Sequence, residues 1–445
     1  MIVMKFGGTS VQNTEMIDNA ISIAENQLER APLLVSSAMG KTTDKLVSIS
    51  EAAVTGNSKL AFSIFEEIKA GHFFTINTFL SGDNLRFATE RAEKLFEELS
   101  SLTKGLTLLR ECSPRSTDAI LSFGELLSTT IITARARERG IETILLDSRK
   151  LIKTDDNFTS ATPLMDKTGE LIRGAVFPTS GKLYVAQGFI ATNLNGATTT
   201  LGRGGSDYSA TIYGASLRAE EVQIWTDVDG IMTTDPRIIP EARTIPIISY
   251  DEAAELAFFG AKVVHPSTIV PAIDREIPVL VKNTNNPDGE YTTIAPSSGK
   301  TGLKAISIKK NITLIEIKTG RMVNAYGFLA RIFSVFEKYQ TSVDIVTTSE
   351  VSVSMTIENQ SNLKEIVADL NLLGKVSVEQ DKSIVCLVGQ DLWQDSVVIA
   401  RIFKIMEGLP IRMISLGASR INLTLVVPES HCEESLKKLH AGFFN

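Results

Sequence analysis

The chain has 445 residues, 43% hydrophobic and 22% charged, with 45 basic against 52 acidic side chains for a net charge of −7. This is the composition of a water-soluble globular protein of two or three domains, and without a Lys/Arg block it disfavours a nucleic-acid or anionic-membrane surface. No apolar run nears the ~18–20 residues of a membrane span, and Cys112, Cys386 and Cys432 are too scattered for a disulfide framework or a structural zinc site. The apolar start breaks at Lys5, Gly7 and Gly8, too early for a signal peptide, so the cytoplasm is the expected compartment. Residues 1–6 read as a buried strand feeding a glycine turn, followed by an amphipathic helix over 14–30 and a second buried strand over Pro32–Ala38. Strand, helix, strand in that order predicts a largely parallel sheet. Residues 42–110 read as mostly helical, and strands are expected at Glu142–Asp147, Lys182–Ile190, Glu221–Thr226 and Pro278–Val281. Helices are expected at 206–217 and 250–264, the latter capped by Ser249 or Asp251.

A boundary falls near 283–303, where Asn283–Gly289 is turn chemistry and Pro296–Gly302 is polar and rich in breakers. Beyond it lies a repeat. Ala330-Arg-Ile-Phe333 recurs 70 residues later as Ala400-Arg-Ile-Phe403, and the same offset aligns Val343, Val346, Val351, Val353 and Met355 with Met413, Leu416, Ile421, Leu423 and Leu425. A duplicated unit of strand–helix–strand–strand–helix–strand is expected. The second copy runs out after a helix at 430–441, and the strand-like Ala305–Lys309 is expected to complete one unit from outside its own repeat. The expected domains are 1–295, 303–380 and 381–445, with exchange of strand 303–310.

Two glycine runs carry the chemistry. Lys5-Phe-Gly-Gly-Thr-Ser10 and Leu201-Gly-Arg-Gly-Gly-Ser-Asp207 each sit at a strand-to-helix junction beside a cation. Glycine lets backbone N–H groups converge on an anion, and a helix N-terminus adds a favourable dipole. Two such loops point to one polyphosphate gripped from two sides. Lys5 ends an apolar strand, where an ammonium without an anion is costly, although snorkelling to water is the ordinary alternative. Arg203 offers a planar fork for carboxylate or phosphate; Asp207 serves as well for a helix cap as for a lysine partner. Asp229 and Asp235 read better as turn formers than as ligands, and His265 as structural. Lys262 near a helix C-terminus and Glu125 in a first helical turn both admit plain dipole roles. Gly40-Lys41-Thr42 lacks the glycine that a P-loop needs five residues before Gly40, which leaves a turn in which Thr42 is free to contact a ligand.

These motifs, with Phe123-Gly-Glu125, Trp225-Thr-Asp-Val-Asp-Gly-Ile, Thr233-Thr-Asp-Pro-Arg237 and Phe259-Gly-Ala-Lys262 in the same order, resemble the aspartokinases along essentially the whole chain. The resemblance implies an α/β amino-acid-kinase fold, a largely parallel sheet sandwiched by helices, followed by two ferredoxin-like ACT domains. It is nearest to the lysine-sensitive branch in Gly327-Phe-Leu-Ala and Ser342–Val351, and a chain ending at Asn445 is similar to the monofunctional form. The implied reaction moves the γ-phosphoryl group of ATP to the β-carboxylate of L-aspartate, the first step toward lysine, threonine and methionine. By the same resemblance Lys5 and Lys262 neutralise the transferring group, Asp207 orients the lysines, and N–H groups of Gly7, Gly8, Gly204 and Gly205 cradle phosphate. Arg203 takes the substrate α-carboxylate and Glu125 its ammonium, with Thr42 and Phe189 lining that pocket. Thr226, Asp227 and Arg237 bind the nucleotide with Mg²⁺, and Met232 stands where many members have Tyr. Met322, Phe328, Leu329, Ser342, Val343 and Asp344 form the lysine effector site. Ile414, at the corresponding place in the second repeat, cannot make the charge pair of Asp344. A homodimer or higher homo-oligomer is implied. Another amino-acid kinase, such as a glutamate 5-kinase, and a non-catalytic amino-acid sensor are the alternatives.

Overall fold

The computed structural model describes residues 1–260, 264–299, 301–320 and 326–444. They fall into two compact units: Met1–Ile231 with Thr244–Tyr250 and Val263–Ser298, and Met232–Arg243 with Asp251–Lys262 and Gly299–Asn445. The N-terminal segment supplies the centre of the first unit's sheet because Val3, Met4 and Phe6 are apolar on both faces, as a strand covered on both sides requires. Its strands are β1 (Val3–Phe6), β2 (Leu33–Ser36), β3 (Glu142–Leu145), β4 (Lys153–Thr154), β5 (Lys182–Gln187), β6 (Ile190–Asn193), β7 (Thr198–Thr200), β8 (Val222–Thr226), β9 (Ile247–Ser249), β10 (Val279–Asn283) and β11 (Thr292–Ala295). Eight of them form one sheet in the order β3-β5-β2-β1-β8-β10-β11-β9, parallel except at β10–β11; β4, β6 and β7 form a small second sheet.

The helices of this unit are α1 (Thr14–Glu25), α2 (Thr42–Val54), α3 (Ser58–Phe79), α4 (Gly82–Leu109), α5 (Pro114–Leu121), α6 (Phe123–Glu138), α7 (Ser148–Leu151), α8 (Met165–Ala175) and α9 (Gly205–Leu217). Residues of α1 to α4 and α6 share one core with Met4, Phe6 and Leu34 of the sheet. Among the described residues no helix is long and apolar enough to cross a membrane.

Three local expectations change. The helix over 14–30 stops at Glu25 and a 3-10 turn follows at Leu28–Arg30. The strand over Lys182–Ile190 breaks at Gly188-Phe189, where Phe189 takes φ 65°, turning its side chain out of the strand and into a pocket. The polar stretch after 283 contains β11, whose buried Thr292 accepts the Ile231 N–H. A threonine pair inside a turn-rich segment gives no apolar signal of that strand.

The second unit holds α10 (Tyr250–Phe258, described from Asp251 on in this unit), β12 (Gly302–Lys318), α11 (Phe328–Lys338), β13 (Val346–Thr348), β14 (Ser352–Ile357), α12 (Leu363–Asn371), β15 (Lys375–Gln390), α13 (Ser396–Ile405), β16 (Met413–Leu416), β17 (Asn422–Pro428) and α14 (Cys432–Phe444). Six strands form one antiparallel sheet, β13-β14-β12-β15-β17-β16. The two longest strands each serve both repeats: Thr313–Lys318 pairs with β14, while Ala305–Lys309 pairs with Ile384–Val388, which in turn pair with β17. Register shifts between Lys309 and Leu314 mark the change from one repeat to the other. Each repeat has its own core, one around Ile315, Ile332 and Met355 and one around Ile306, Ile402 and Leu425.

The division at 295 is not where compactness divides the chain. Ile239 joins the second core, Thr233 accepts the Ile306 N–H, and Lys304 pairs with buried Glu252 at 3.0 Å, so the segments 232–243 and 251–260 belong with the C-terminal sheet. Truncating Ile315, fully buried between α11 and the sheet, to Ala is expected to cost about 2–5 kcal/mol, measured by urea unfolding of the full chain.

Candidate active site

In the first unit, a pocket of about 320 Å³ lies at the C-terminal ends of the parallel strands, lined by residues including Lys5, Gly8, Ala38, Thr43, Glu125, Phe189, Gly204 and Asp207. Ligands collect at such strand ends in open parallel sheets. Lys5 follows from the last turn of β1; its Nζ lies 2.7 Å from Asp207 Oδ1 in the first turn of α9, with both side chains only 12–13% exposed. The two glycine runs, about 200 residues apart, are therefore joined by one ion pair. Gly204 starts α9 with φ 71°, and a Cβ there would meet Thr268 at 2.8 Å, so glycine is required on both counts. The N–H groups of Ser206 and Asp207, in the first turn, have no intrahelical acceptor.

Not all four glycines donate alike. Gly7 already gives its N–H to the Trp225 carbonyl (3.3 Å) and Gly205 to the Gly202 carbonyl (3.0 Å). These two shape the loops; Gly8 and Gly204 carry no intramolecular N–H bond among the described residues.

Glu125 is the most unusual group in the pocket. It sits in the first turn of α6, 2% exposed, and accepts the Ala38 N–H at 3.1 Å through Oε1. Oε2 is buried without a partner among the described residues. Burial pushes this carboxyl up to about 8, against the smaller opposing effect of the Ala38 N–H. The preceding Gly124 makes the geometry, since a Cβ there would lie 2.6 Å from that of Ala38. A buried carboxyl with one oxygen unpaired has the chemistry to meet a cation that arrives from outside.

Phe189 lines the same pocket, its left-handed backbone held by its N–H to Ser209 Oγ (2.9 Å). Thr42 does not line it: its hydroxyl donates to the Met39 carbonyl at 2.6 Å and caps the turn, and Thr43 faces the pocket instead. Arg203 is exposed at the loop tip and makes no ion pair among the described residues. Thr226 ends β8 and bonds exposed Asp227 at 3.2 Å; Asp229 accepts a bond from the Asn283 side chain at 2.8 Å. Met232 and Arg237 belong to the second unit, where Asp235 grips the exposed Arg237 through two nitrogens at 2.6 and 3.0 Å. Lys262 and Met322 lie outside the described residues.

The candidate effector residues do not share one environment. Phe328 is core, 3% exposed, whereas Leu329 and Ser342 face solvent and Val343 is half-buried. The Asp344 side chain is 5% exposed, and Lys309 Nζ lies 2.9 Å from its Oδ1 and 3.0 Å from Glu358. Burial opposes the charge on Lys309, but these two carboxylates outweigh it and raise its pKa. Asp344 Oδ2 is buried without a partner among the described residues.

Two groups, Ser37 and Asp118, give no motif signal. Ser37 Oγ donates to Ser206 Oγ across the pocket at 2.9 Å. Buried Asp118 accepts the N–H groups of Thr159 and Thr200 and the Thr200 hydroxyl at 2.6–3.0 Å, which fixes both strands of chain beside Gly202. Asp118→Ala is expected to leave the buried Thr200 N–H and hydroxyl unpaired and cost about 1–3 kcal/mol per group, with a raised KM for the amino-acid substrate, checked by thermal unfolding and steady-state kinetics.

A family model described as the amino acid kinase family matches residues 1–283, and one described as an ACT domain matches 385–443. The class is therefore an amino acid kinase joined to ACT modules, which agrees with the parallel sheet and the duplicated antiparallel one. Lysine-sensitive aspartokinase 3 of Escherichia coli is 35% identical over all of this chain and 99% of its own length. The crystal structure of E. coli aspartokinase III in complex with aspartate and ADP superposes with a TM-score of 0.85, at 35% identity over the whole of both chains. The same enzyme in complex with lysine and aspartate gives 0.83 with the same identity and coverage. The chain belongs to the aspartokinase family.

Proposed function

We propose that this chain transfers the γ-phosphoryl group of ATP to the β-carboxylate of L-aspartate, forming 4-phospho-L-aspartate and ADP, and that L-lysine inhibits it. The observation that carries the reading is Glu125, a buried carboxylate with a vacant oxygen in the same pocket as the Lys5–Asp207 pair. It supplies the receptor for an amino acid's ammonium beside a cradle for phosphate. The E. coli relative's complexes with aspartate and ADP, and with lysine and aspartate, support the same substrate and effector.

The acceptor carboxylate is ionised at neutral pH, so its oxygen attacks the γ-phosphorus without a general base while the bond to the ADP oxygen breaks. Lys5 and Lys262 offset the charge that spreads over the transferring oxygens, and Asp207 holds Lys5 in line. Gly8, Gly204 and the first turn of α9 give the N–H groups, with Gly7 and Gly205 shaping the loops. Glu125 takes the substrate ammonium, Arg203 its α-carboxylate, and Phe189 with Thr43 walls the pocket, with Thr42 shaping the turn behind Thr43. Thr226, Asp227, Met232 and Arg237 serve the nucleotide, the last after exchanging its bond to Asp235.

Among the described residues no three His, Cys, Asp or Glu side chains gather to hold a metal. Mg²⁺, which keeps its waters and is carried largely by substrate phosphates with one or two carboxylates, would find in Asp207 a carboxylate lining the pocket. When bound, it supplies further charge neutralisation on those phosphates.

In this reading residues 1–295 carry catalysis and 303–380 and 381–445 form two regulatory modules that share strands. Lysine's ammonium pairs with Asp344, near Met322, Leu329, Ser342 and Val343, with Phe328 supporting them from the core. The protein acts as a homo-oligomer in the cytoplasm, where its three free thiols stay reduced.

Coupled ADP production with ATP, Mg²⁺ and L-aspartate, with L-glutamate as control acceptor and with or without millimolar L-lysine, tests the whole reading. Activity with aspartate alone, suppressed by lysine, is the expected result; no turnover with aspartate rejects it. Asp344→Ala is expected to keep the activity and raise the half-inhibitory lysine concentration at least about tenfold; unchanged inhibition rejects the effector site.

A further inference from the structure

A second concavity of the first unit, about 460 Å³, is unrelated to the pocket described above. Its floor is apolar, made by Phe87 of α4, Leu145 and Leu146 at the end of edge strand β3, and Leu151 of α7. Three cations rim it: Arg91, Arg137 and Lys150. Arg91 and Phe87 stand one turn apart on α4, and Arg137 lies in the last turn of α6, whose first turn carries Glu125. Twelve residues of helix put the two concavities roughly 18 Å apart along that axis.

None of the three cations makes an ion pair among the described residues, although the surrounding surface pairs its arginines readily, Arg135 with Asp18 and Arg139 with Glu25. The two arginines are nevertheless held in place. Arg91 Nε donates to Thr130 Oγ1 at 3.1 Å, which leaves both terminal nitrogens unengaged. Arg137 gives Nε and Nη2 to the Thr143 carbonyl at 3.2 and 3.1 Å and stacks its guanidinium 4.9 Å over the Phe87 ring. Asp147, the carboxylate among the lining residues, is bound through both oxygens by Arg149 at 3.0 and 2.9 Å, and of the three cations it interacts only with Lys150, without a direct ion pair. Burial lowers the pKa of Arg137, with no neighbouring carboxylate to restore it. In a chain of net charge −7, two held arginines and an exposed lysine, none of them ion-paired among the described residues, surround an apolar floor and form an anion-recognition pattern. Arginine forks match bidentate anions, and the floor rewards an attached ring or alkyl body.

We propose that this groove binds a small organic dianion, a phosphate ester or a dicarboxylate, with its apolar body on Phe87 and the leucines and its charges on Arg91, Arg137 and Lys150.

The test is calorimetric titration of phenyl phosphate and of phthalate into the full chain. ADP and L-aspartate are present at saturation so that the catalytic cradle is occupied. Wild type is compared with Arg91→Gln and Lys150→Gln. At least one probe is expected to bind in the millimolar range or tighter, about tenfold more weakly in each variant and more weakly as salt rises. Phenyl phosphate alone assigns a phosphate ester, and phthalate alone a dicarboxylate. No binding of either probe below about 10 mM, or binding indifferent to both substitutions, overturns the proposal. Kinase activity without probe is expected to match wild type in both variants, which shows that the fold is intact.

Discussion

Lys5→Met is expected to lower kcat about a thousandfold while the chain stays folded, read by coupled ADP release beside circular dichroism. The ammonium lies 2.7 Å from Asp207 with both groups nearly buried. Its removal takes a cation from the transferring phosphoryl group and leaves a carboxylate uncompensated at the same place. Losing one preorganised charge of this kind is worth about 10²–10⁵ in rate, and the stranded carboxylate repels the nucleotide's phosphates as well. Lys5→Arg is not expected to rescue, because a planar fork held by Asp207 points its charge differently from an ammonium. Asp207→Asn separates the two effects: the cation stays but is no longer held, and a loss nearer a hundredfold is expected, mostly in kcat. Equal KM and kcat losses in all three variants would reduce the pair to a structural brace.

Glu125→Gln is expected to cut kcat/KM for aspartate about a hundredfold or more, since a neutral amide replaces the partner of a buried ammonium. The pH dependence is the sharper check. With its carboxyl pushed up to about 8 by burial, ligand-free Glu125 is mostly protonated at pH 7, whereas the bound ammonium requires carboxylate. Aspartate binding at pH 7 is therefore expected to release about 0.9 proton, measured by calorimetry in buffers of different ionisation enthalpy, and kcat/KM is expected to rise as pH climbs through about 8. Stability moves the other way. A carboxyl raised in the folded state adds stability that is complete below its ordinary value of 4.5 and is lost as pH rises through about 8. The ligand-free thermal midpoint is thus expected to fall across that window more steeply in wild type than in Glu125→Gln. A profile identical in the two proteins would show that Glu125 does not titrate there.

Much of this was legible without coordinates because the signals are local. The alternation of buried strand and amphipathic helix from residue 1 to residue 54 predicts the parallel sheet, and the 70-residue offset predicts the duplicated antiparallel one. Lys5 before paired glycines and Asp207 after them identify the cradle because few sequences other than anion loops need that chemistry at strand ends. Other features carry no such mark. Thr42 and Thr43 are equivalent in sequence, and the turn alone decides which hydroxyl is spent on the Met39 carbonyl. Gly7 and Gly205 look like donors until their N–H groups are seen on neighbouring carbonyls. Asp118 reads as one more polar residue on α5, though it pins two distant segments.

Read without coordinates, the chain carries its resemblance to the aspartokinases and, through that resemblance, the class of reaction, along with the opening alternation of strand and helix and the C-terminal repeat, since motif order, glycine placement and hydrophobic period are properties of contiguous residues. The folded chain adds that Glu125 is a buried, half-satisfied acid and that residues 232–243 and 251–260 pack with the C-terminal sheet, and of the two roles open to Asp207 it shows the pairing with Lys5. It also shows that β15 is shared between the repeats, in addition to the expected exchange of β12, and that three cations from separate elements converge on one groove. Burial, pairing and charge depend on what the fold places nearby, and those neighbours lie tens to hundreds of residues away along the chain.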